Sequence, residues 1–233
     1  MIKPLGANVF TLGMEALCLL MVFAAWRFML PADEDKGLSG SHFAWPTAAT
    51  ISLGLLCFLA LMTEGAILDW AAIHLRQTFA LDASSAGLGY SLFSTGMMVS
   101  RFAGDALRAS HGSIPLVRWS AGLTIAGLAG ALALPSAPFA IIAYTLAGIG
   151  IGNIAPVLFA GGGRAEPDAP GRGIAAVTTL GYAGFVAGPA IIGLTAEVTG
   201  LTFALGLMIP AALIIALAAT AASAADAGRK VPA

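Results

Sequence analysis

Residues 48–75 read AATISLGLLCFLALMTEGAILDWAAIHL, a run whose only acids are Glu64 and Asp69 and which holds no lysine or arginine. About 20 predominantly apolar residues wound as a helix cross a hydrocarbon layer about 30 Å thick. A helix satisfies its own backbone groups there, where water cannot. Stretches of the same kind recur at 7–30, 84–107, 116–134, 138–160, 173–195 and 200–224, divided by short turns. The expected fold is all-α, a polytopic membrane helical bundle of about seven transmembrane helices. Apolar residues make up 58% of the chain and charged residues 10%, with a mean hydropathy of +0.90. A soluble domain carries about 25% charged residues.

Composition also excludes function classes. Net charge is −1, so nothing points to a nucleic-acid partner. Cys18 and Cys57 both lie in apolar helices and read as core thiols. His42, His74 and His111 are spread along loops and helix ends, which gives no metal cluster. No Ser/His/Asp set or close pair of catalytic carboxylates is visible, so an enzyme and a cofactor are not expected. The first stretch begins after Lys3 and resembles a signal's apolar core over Leu17–Ala25. Its length, and the lack of a clean small-x-small site, favour a retained helix.

Basic residues fix the expected orientation. Lys3 and Arg76 fall on one side, and Arg27, Lys36, Arg101, Arg108, Arg118, Arg164, Arg172, Arg229 and Lys230 on the other. Basic loops stay cytoplasmic, so the N-terminus is expected outside and the C-terminus in the cytoplasm. The expected division is a first helix over 1–30, a cytoplasmic linker over 31–47, a six-helix unit over 48–225 and a cytoplasmic tail over 226–233. Within the six-helix unit, Leu88-Gly89-Tyr90-x-x-Phe93-x-x-Gly96 recurs as Leu180-Gly181-Tyr182-x-x-Phe185-x-x-Gly188, with Asp105 falling opposite Glu197. A repeat of three crossings inverts between copies, an arrangement found in transporters.

Ionisable groups inside spans are costly and mark function. At about 1.5 Å per residue from Thr47, Glu64 lies roughly 24 Å into its helix, with Asp69 near the outer interface. The two are about 140° apart around the helix, so Glu64 can face a cavity while Asp69 faces water or a neighbour. Gly65 permits bending between them. Arg101, Gly104, Asp105 and Arg108 cluster at the expected cytoplasmic edge of the third stretch. An ion pair there can hold one conformation shut and break in the other. In the fifth stretch, Gly148, Gly150 and Gly152 allow close helix approach. Pro156 is expected to kink the helix, and Asn153 needs a hydrogen-bond partner. Gly184 and Gly188 put small residues on one face of the sixth stretch ahead of Pro189, and Tyr182 could line a cavity. Pro210 is expected to kink the seventh.

Taken together, Glu64-Gly65-Ala66-x-x-Asp69-Trp70, Arg101-x-x-Gly104-Asp105, Gly152-Asn153-x-x-Pro156-Val157-Leu158-Phe159 and Gly181-Tyr182-x-Gly184-Phe185-x-x-Gly188-Pro189 resemble the major facilitator superfamily. The resemblance is to the carboxy-terminal half of bacterial inner-membrane carriers of the fucose-permease-like and YbjJ-like group. It covers residues 48–224 as the last six helices of twelve; residues 7–30 then look like the sixth helix and Pro31–Pro46 like the central loop. That loop is usually basic in the family and is acidic here. Ala106 stands where the family's gating motif often has a basic residue, so the gate is matched in part.

The resemblance implies secondary active transport of a small solute by alternating access, coupled to a proton or another ion. Substrate- or ion-binding contacts are expected from Glu64, Asp69, Asn153 and Tyr182, and a gate from Arg101, Gly104, Asp105 and Arg108. The expected partners are a lipid bilayer, an unknown small solute and a missing amino-terminal half or partner membrane subunit. Three arrangements fit the resemblance, a truncated piece, half of a two-chain carrier or a homodimer, and a lone sixth-helix segment before the linker favours truncation. The alternative is a non-transporting membrane subunit that packs against a partner.

Overall fold

A computed structural model describes residues 4–27 and 46–227. Two units are present, Met1–Gly40 and Ser41–Ala233. In the first, the described residues form one helix, α1 (Pro4–Arg27). The expected linker falls almost wholly outside the described residues, as do the last residues of the tail.

The second unit is helical throughout its described length, through α2 (Ile51–Phe79), α3 (Ala83–His111), α4 (Ser113–Ala133), α5 (Ala137–Ile151), α6 (Ile154–Ala165), α7 (Pro170–Thr199), α8 (Leu201–Gly206) and α9 (Met208–Leu217). A 3-10 segment, Ala219–Asp226, follows. Every apolar stretch expected between 48 and 224 is thus helical. By length and apolarity, α2, α4, α5 with α6, and α7 can each cross a membrane. The bent run from Leu201 to Asp226, turned by 51°, makes a fifth span if counted as one.

Helix α3 departs from the expected pattern. At 29 residues it is about 43 Å long, enough to cross, yet it is not among the apolar spans. Ser84, Ser85, Ser91, Ser94, Thr95, Ser100, Arg101, Asp105 and Arg108 all lie on it. A polar helix among apolar ones belongs where it can face other polar groups rather than lipid.

Two proline positions break helices and one does not. A proline removes the hydrogen bond to the carbonyl four residues earlier. Pro156 would have served Gly152, and α5 ends at Ile151 with Gly152 and Asn153 in the break. Pro210 would have served Gly206, where α8 ends. Pro189 sits inside an unbroken α7. There Gly65 of α2 packs onto the bereft Phe185 carbonyl, which a Cβ at Gly65 would meet at 2.6 Å.

Glycines set the packing. The long α2–α7 seam closes because Gly184 and Gly188 lie directly over the Phe58 and Met62 carbonyls, and Gly181 over Cys57. Helix α3 meets α5 through Gly96 against Thr145, Gly148 against Phe93 and Gly152 against Met97 and Ser100. Without Cβ atoms the helices approach until dispersion contacts run along the backbone itself, the main source of association in lipid. Both copies of the repeated motif bury their glycines, Gly89 and Gly96 in α3 and Gly181 and Gly188 in α7, and leave Tyr90 and Tyr182 exposed.

Candidate functional site

Glu64 is buried in α2, with its side chain 10% exposed, and Arg101 of α3 reaches it. Arg101 Nη2 donates to both carboxylate oxygens at 3.4 and 3.5 Å. Along their helices the two residues sit about 20 Å from Ile51 and about 15 Å from His111, so the pair lies inside the helical layer and not at its rim. The Arg101 Nε donates at 3.1 Å to the carbonyl of Gly152. That is the acceptor left open by Pro156. The kink and the arginine are one device, in which the proline frees a carbonyl and the guanidinium takes it.

Asn153 secures the same corner. Its Nδ2 donates to the Ser100 carbonyl at 2.8 Å, and its Oδ1 occupies the space a Cβ at Gly104 would need. Gly104 is therefore a seat for Asn153, and Asn153 ties α3 to the break between α5 and α6. Three elements meet at one charged point. Glu64 comes from α2, Arg101 from α3 and a backbone acceptor from the α5–α6 break.

The other expected residues stand elsewhere. Asp69 is exposed one turn and more beyond Glu64 on α2, and neither it nor Asp105 has a hydrogen bond or ion pair among the described residues. Arg101 turns inward to Glu64 instead of joining Asp105. Arg108 is buried and donates through Nε to Ser113 Oγ at 2.9 Å and to Asp226 Oδ1 at 3.4 Å, and through Nη2 to the Ala225 carbonyl. Arg164 of α6 donates to the same carbonyl. Asp226 completes the knot by accepting from Ser113 N and Oγ, each at 2.7 Å. Tyr182 is exposed and lies 6.4 Å from Phe159, ring centre to ring centre. Pro189 accepts through its carbonyl from Trp70 Nε1 at 3.0 Å.

Three contacts were not read from the sequence. The sequence marks Gly152 as a packing glycine, and the signal for its open carbonyl is Pro156 four residues on. Asp226 pairs with a residue 118 positions away, which no local pattern signals. His74 and Tyr144 form a buried hydrogen bond of 3.0 Å between α2 and α5, with His74 Nε2 left unpartnered. Among the described residues no group of His, Cys, Asp and Glu could hold a metal ion.

Comparison with known proteins follows the same line. The chain is 32% identical over 219 residues to an uncharacterized MFS-type transporter of Yersinia pestis, aligning 93% of this chain with 56% of that one. It is 30% identical over 203 residues to the membrane protein MosC of Rhizobium meliloti, at 85% and 49%. This chain is related to the major facilitator superfamily transporters. It spans about half the length of the curated relatives it matches, consistent with a carboxy-terminal half. No protein-family model matches. In fold, the chain resembles the crystal structure of a peptide transporter POT in complex with alafosfalin, with a TM-score of 0.62 at 19% identity over 78% of this chain and 40% of that one. As a relative of major facilitators built of apolar helices, it is a multi-pass membrane protein.

Proposed function

We propose that this chain is the carboxy-terminal half of a secondary active transporter that moves a small solute by alternating access, coupled to protons. The observation that carries the reading is the Glu64–Arg101–Gly152 constellation. A cation beside a buried carboxylate favours its ionised form, and that preference is lost when the cation moves away. Here the cation is held by a backbone carbonyl at a helix break, the kind of element that changes shape with modest loss of hydrogen bonding. Rocking of α2 against α3 and the α5–α6 break would therefore make or break the pair, so that conformation and protonation of Glu64 become linked.

In this reading Glu64 is the coupling acid and Arg101 its counter-ion. Asn153 positions the break, while Asp69 and Tyr182 are contacts along the solute path. The gate is formed by Arg108, with Gly104 and Asp105 in the same helical stretch. Its closed state is the Arg108–Asp226–Ser113 knot. The positive-inside pattern supports an N-terminus outside and a C-terminus in the cytoplasm, in a bacterial inner membrane. The missing amino-terminal half, supplied by a longer chain or by a partner subunit, completes the solute site.

The test is solute-driven proton flux. The protein is reconstituted with the half that completes it, in vesicles loaded with a pH-sensitive dye, and challenged with a panel of small solutes. A solute that drives proton movement in the native protein and not in Glu64→Gln supports the reading. Coupled flux that survives Glu64→Gln removes Glu64 from the mechanism. Absence of flux for every solute, with stoichiometric binding to another membrane protein, favours a non-transporting subunit.

A further inference from the structure

We infer that the segment Ala219–Asp226 is a winding switch. It stands as a 3-10 helix while its end is tied to the α3–α4 turn, and rewinds to an α-helix when that tie is released, drawing Asp226 back along the helix axis. The local sequence argues against the winding observed. The segment reads ATAASAAD, five alanines in eight residues with no glycine or proline. Alanine is the strongest α-helix former, and 3-10 runs beyond three or four residues are uncommon because their hydrogen bonds are poorer. At Ala218 the bond is still of α type, its N–H donating to the Ile214 carbonyl four residues back. Past that point the step is three, from Ala221 N–H to the Ala218 carbonyl and from Ala227 N–H to the Ala224 carbonyl. Ala219, Ala222 and Ala225, spaced by three, are the residues turned inward, and all are buried.

What holds the segment in this form is tertiary. The Ala225 carbonyl accepts from Arg108 of α3 and from Arg164 of α6. Asp226 accepts from Ser113 N and Oγ, each at 2.7 Å, and from Arg108 Nε at 3.4 Å. The winding decides whether the chain can reach these donors. From Ala219 to Asp226 the axis covers about 14 Å at the 3-10 rise and about 10.5 Å at the α rise. Wound as α, the segment would stop about 3.5 Å short of Ser113 and turn Asp226 about 140° away from it.

The tie joins two helix ends. Arg108 lies in the last turn of α3 and Arg164 in the last turn of α6, and one carbonyl serves both. A shift of either end against the other removes a donor from Ala225, and the α preference of the alanines then takes over. The two windings form a two-state element, of the kind that converts a small displacement into a larger one. Small side chains suit the segment to both states. Gly161 of α6 lies against it, where a Cβ would meet Ala225 N at 3.5 Å, and no large side chain has to be withdrawn when the segment turns. Within the transporter read above, rewinding withdraws Asp226 as the cytoplasmic knot opens. The winding change itself needs neither Glu64 nor a solute.

Nitroxide pairs on the purified chain in lipid nanodiscs read the winding. Cys18→Ser removes the exposed native thiol, and Cys57 is buried. One pair is Thr220→Cys with Ser223→Cys, three residues apart; the other is Thr220→Cys with Ala224→Cys, four apart. In a 3-10 helix the first pair shares one face, while the second is separated by about 120° and about 8 Å along the axis. In an α-helix the second pair is about 40° and about 6 Å apart. The native chain is expected to show strong spin coupling in the first pair and weak coupling in the second. Arg164→Gln together with Asp226→Ala releases the tie and is expected to raise the second coupling to the level of the first. An α pattern in the native chain overturns the switch, and so does a 3-10 pattern that survives the release. Loss of coupling in both pairs of the released chain means fraying and overturns it as well. Arg164→Gln alone is the milder release should the double variant fail to fold; it is expected to give a mixture of the two patterns, and an unchanged 3-10 pattern there overturns the switch. Proton flux is not read in these spectra, so a failed switch leaves the coupling-acid reading standing.

Discussion

At the scale of single residues, Gly152 and Pro156 act as one unit. The proline withholds an N–H from the Gly152 carbonyl, and Arg101 Nε supplies one from another helix at 3.1 Å. Replacing Pro156 with Ala returns the missing donor to α5–α6. We expect the amide created at 156 to exchange slowly and the coupling of Glu64 to Arg101, measured by a double-mutant cycle, to weaken. A hydrogen bond to a charged group contributes about 1.5–3 kcal/mol, which bounds the effect. Close packing gives a second test at this scale. A methyl at Gly184 would overlap the Phe58 carbonyl, which is backbone and has little room to yield. Gly184→Ala is therefore expected to destabilise by about 1–3 kcal/mol. Gly122→Ala, where nothing lies within 4 Å, should leave the thermal midpoint unchanged or slightly raised, as Ala is favoured over Gly in a helix.

At the scale of elements, α3 combines a polar composition with a well-made N-terminus. Asp82 caps it, accepting from Ser84 N at 2.8 Å, Ser84 Oγ at 2.6 Å, Ser85 N at 2.9 Å and Ser85 Oγ at 3.0 Å. The Ser84 hydroxyl first, then the Ser85 amide and hydroxyl, hold the Asp82 carboxyl well below its ordinary range. A depressed folded-state value means that the cap's stabilisation is complete above the unfolded value of about 3.9. It is lost as the pH falls below that toward the folded value. The protection factors of the Ser84 and Ser85 amides, taken against the intrinsic exchange rate at each pH, should therefore be high at neutral pH and fall on strong acidification. In Asp82→Ala they should be low throughout. The α5–α6 and α8–α9 breaks share one layout, a proline at the third position of the following helix. One freed carbonyl is claimed by an arginine, which is why that break belongs to the site.

At the scale of the whole molecule, the ends of the unit are tied across long sequence distances. Arg108 and Arg164 both donate to the Ala225 carbonyl, and Asp226 holds Ser113 and Arg108. Thr47 Oγ1 donates to Glu166 at 2.5 Å. Losing the carboxylate in Asp226→Ala leaves the buried Arg108 and the Ser113 amide with fewer acceptors. We expect a loss of about 2 kcal/mol, read as a lower unfolding midpoint in detergent. If the knot is the closed gate, the same variant should also make a cysteine placed at Gly112 more reactive toward a thiol reagent. A midpoint that falls without a change in reactivity would leave the knot a structural tie alone.

Apolar runs long enough to cross a bilayer determined by themselves that this protein is helical and membrane-embedded, because lipid leaves the backbone no other way to satisfy its polar groups. The runs also located every helix of the second unit, the prolines marked both breaks, and the rarity of acids inside spans singled out Glu64. The partners were decided by tertiary structure. From spacing alone, Arg101 sits four residues from Asp105, one helical turn away, and the two look like neighbours; in the fold its side chain turns to Glu64, 37 residues earlier. Asn153 and Gly104 reveal their fit to each other only when α3 lies against the break, and Arg108 meets Asp226 only when the chain's end returns to the α3–α4 turn. Helix formation is local, set within one turn by hydrogen bonds four residues apart. The direction a long charged side chain takes is set by which neighbour offers a counter-charge in a medium without water, and that depends on how all the helices pack.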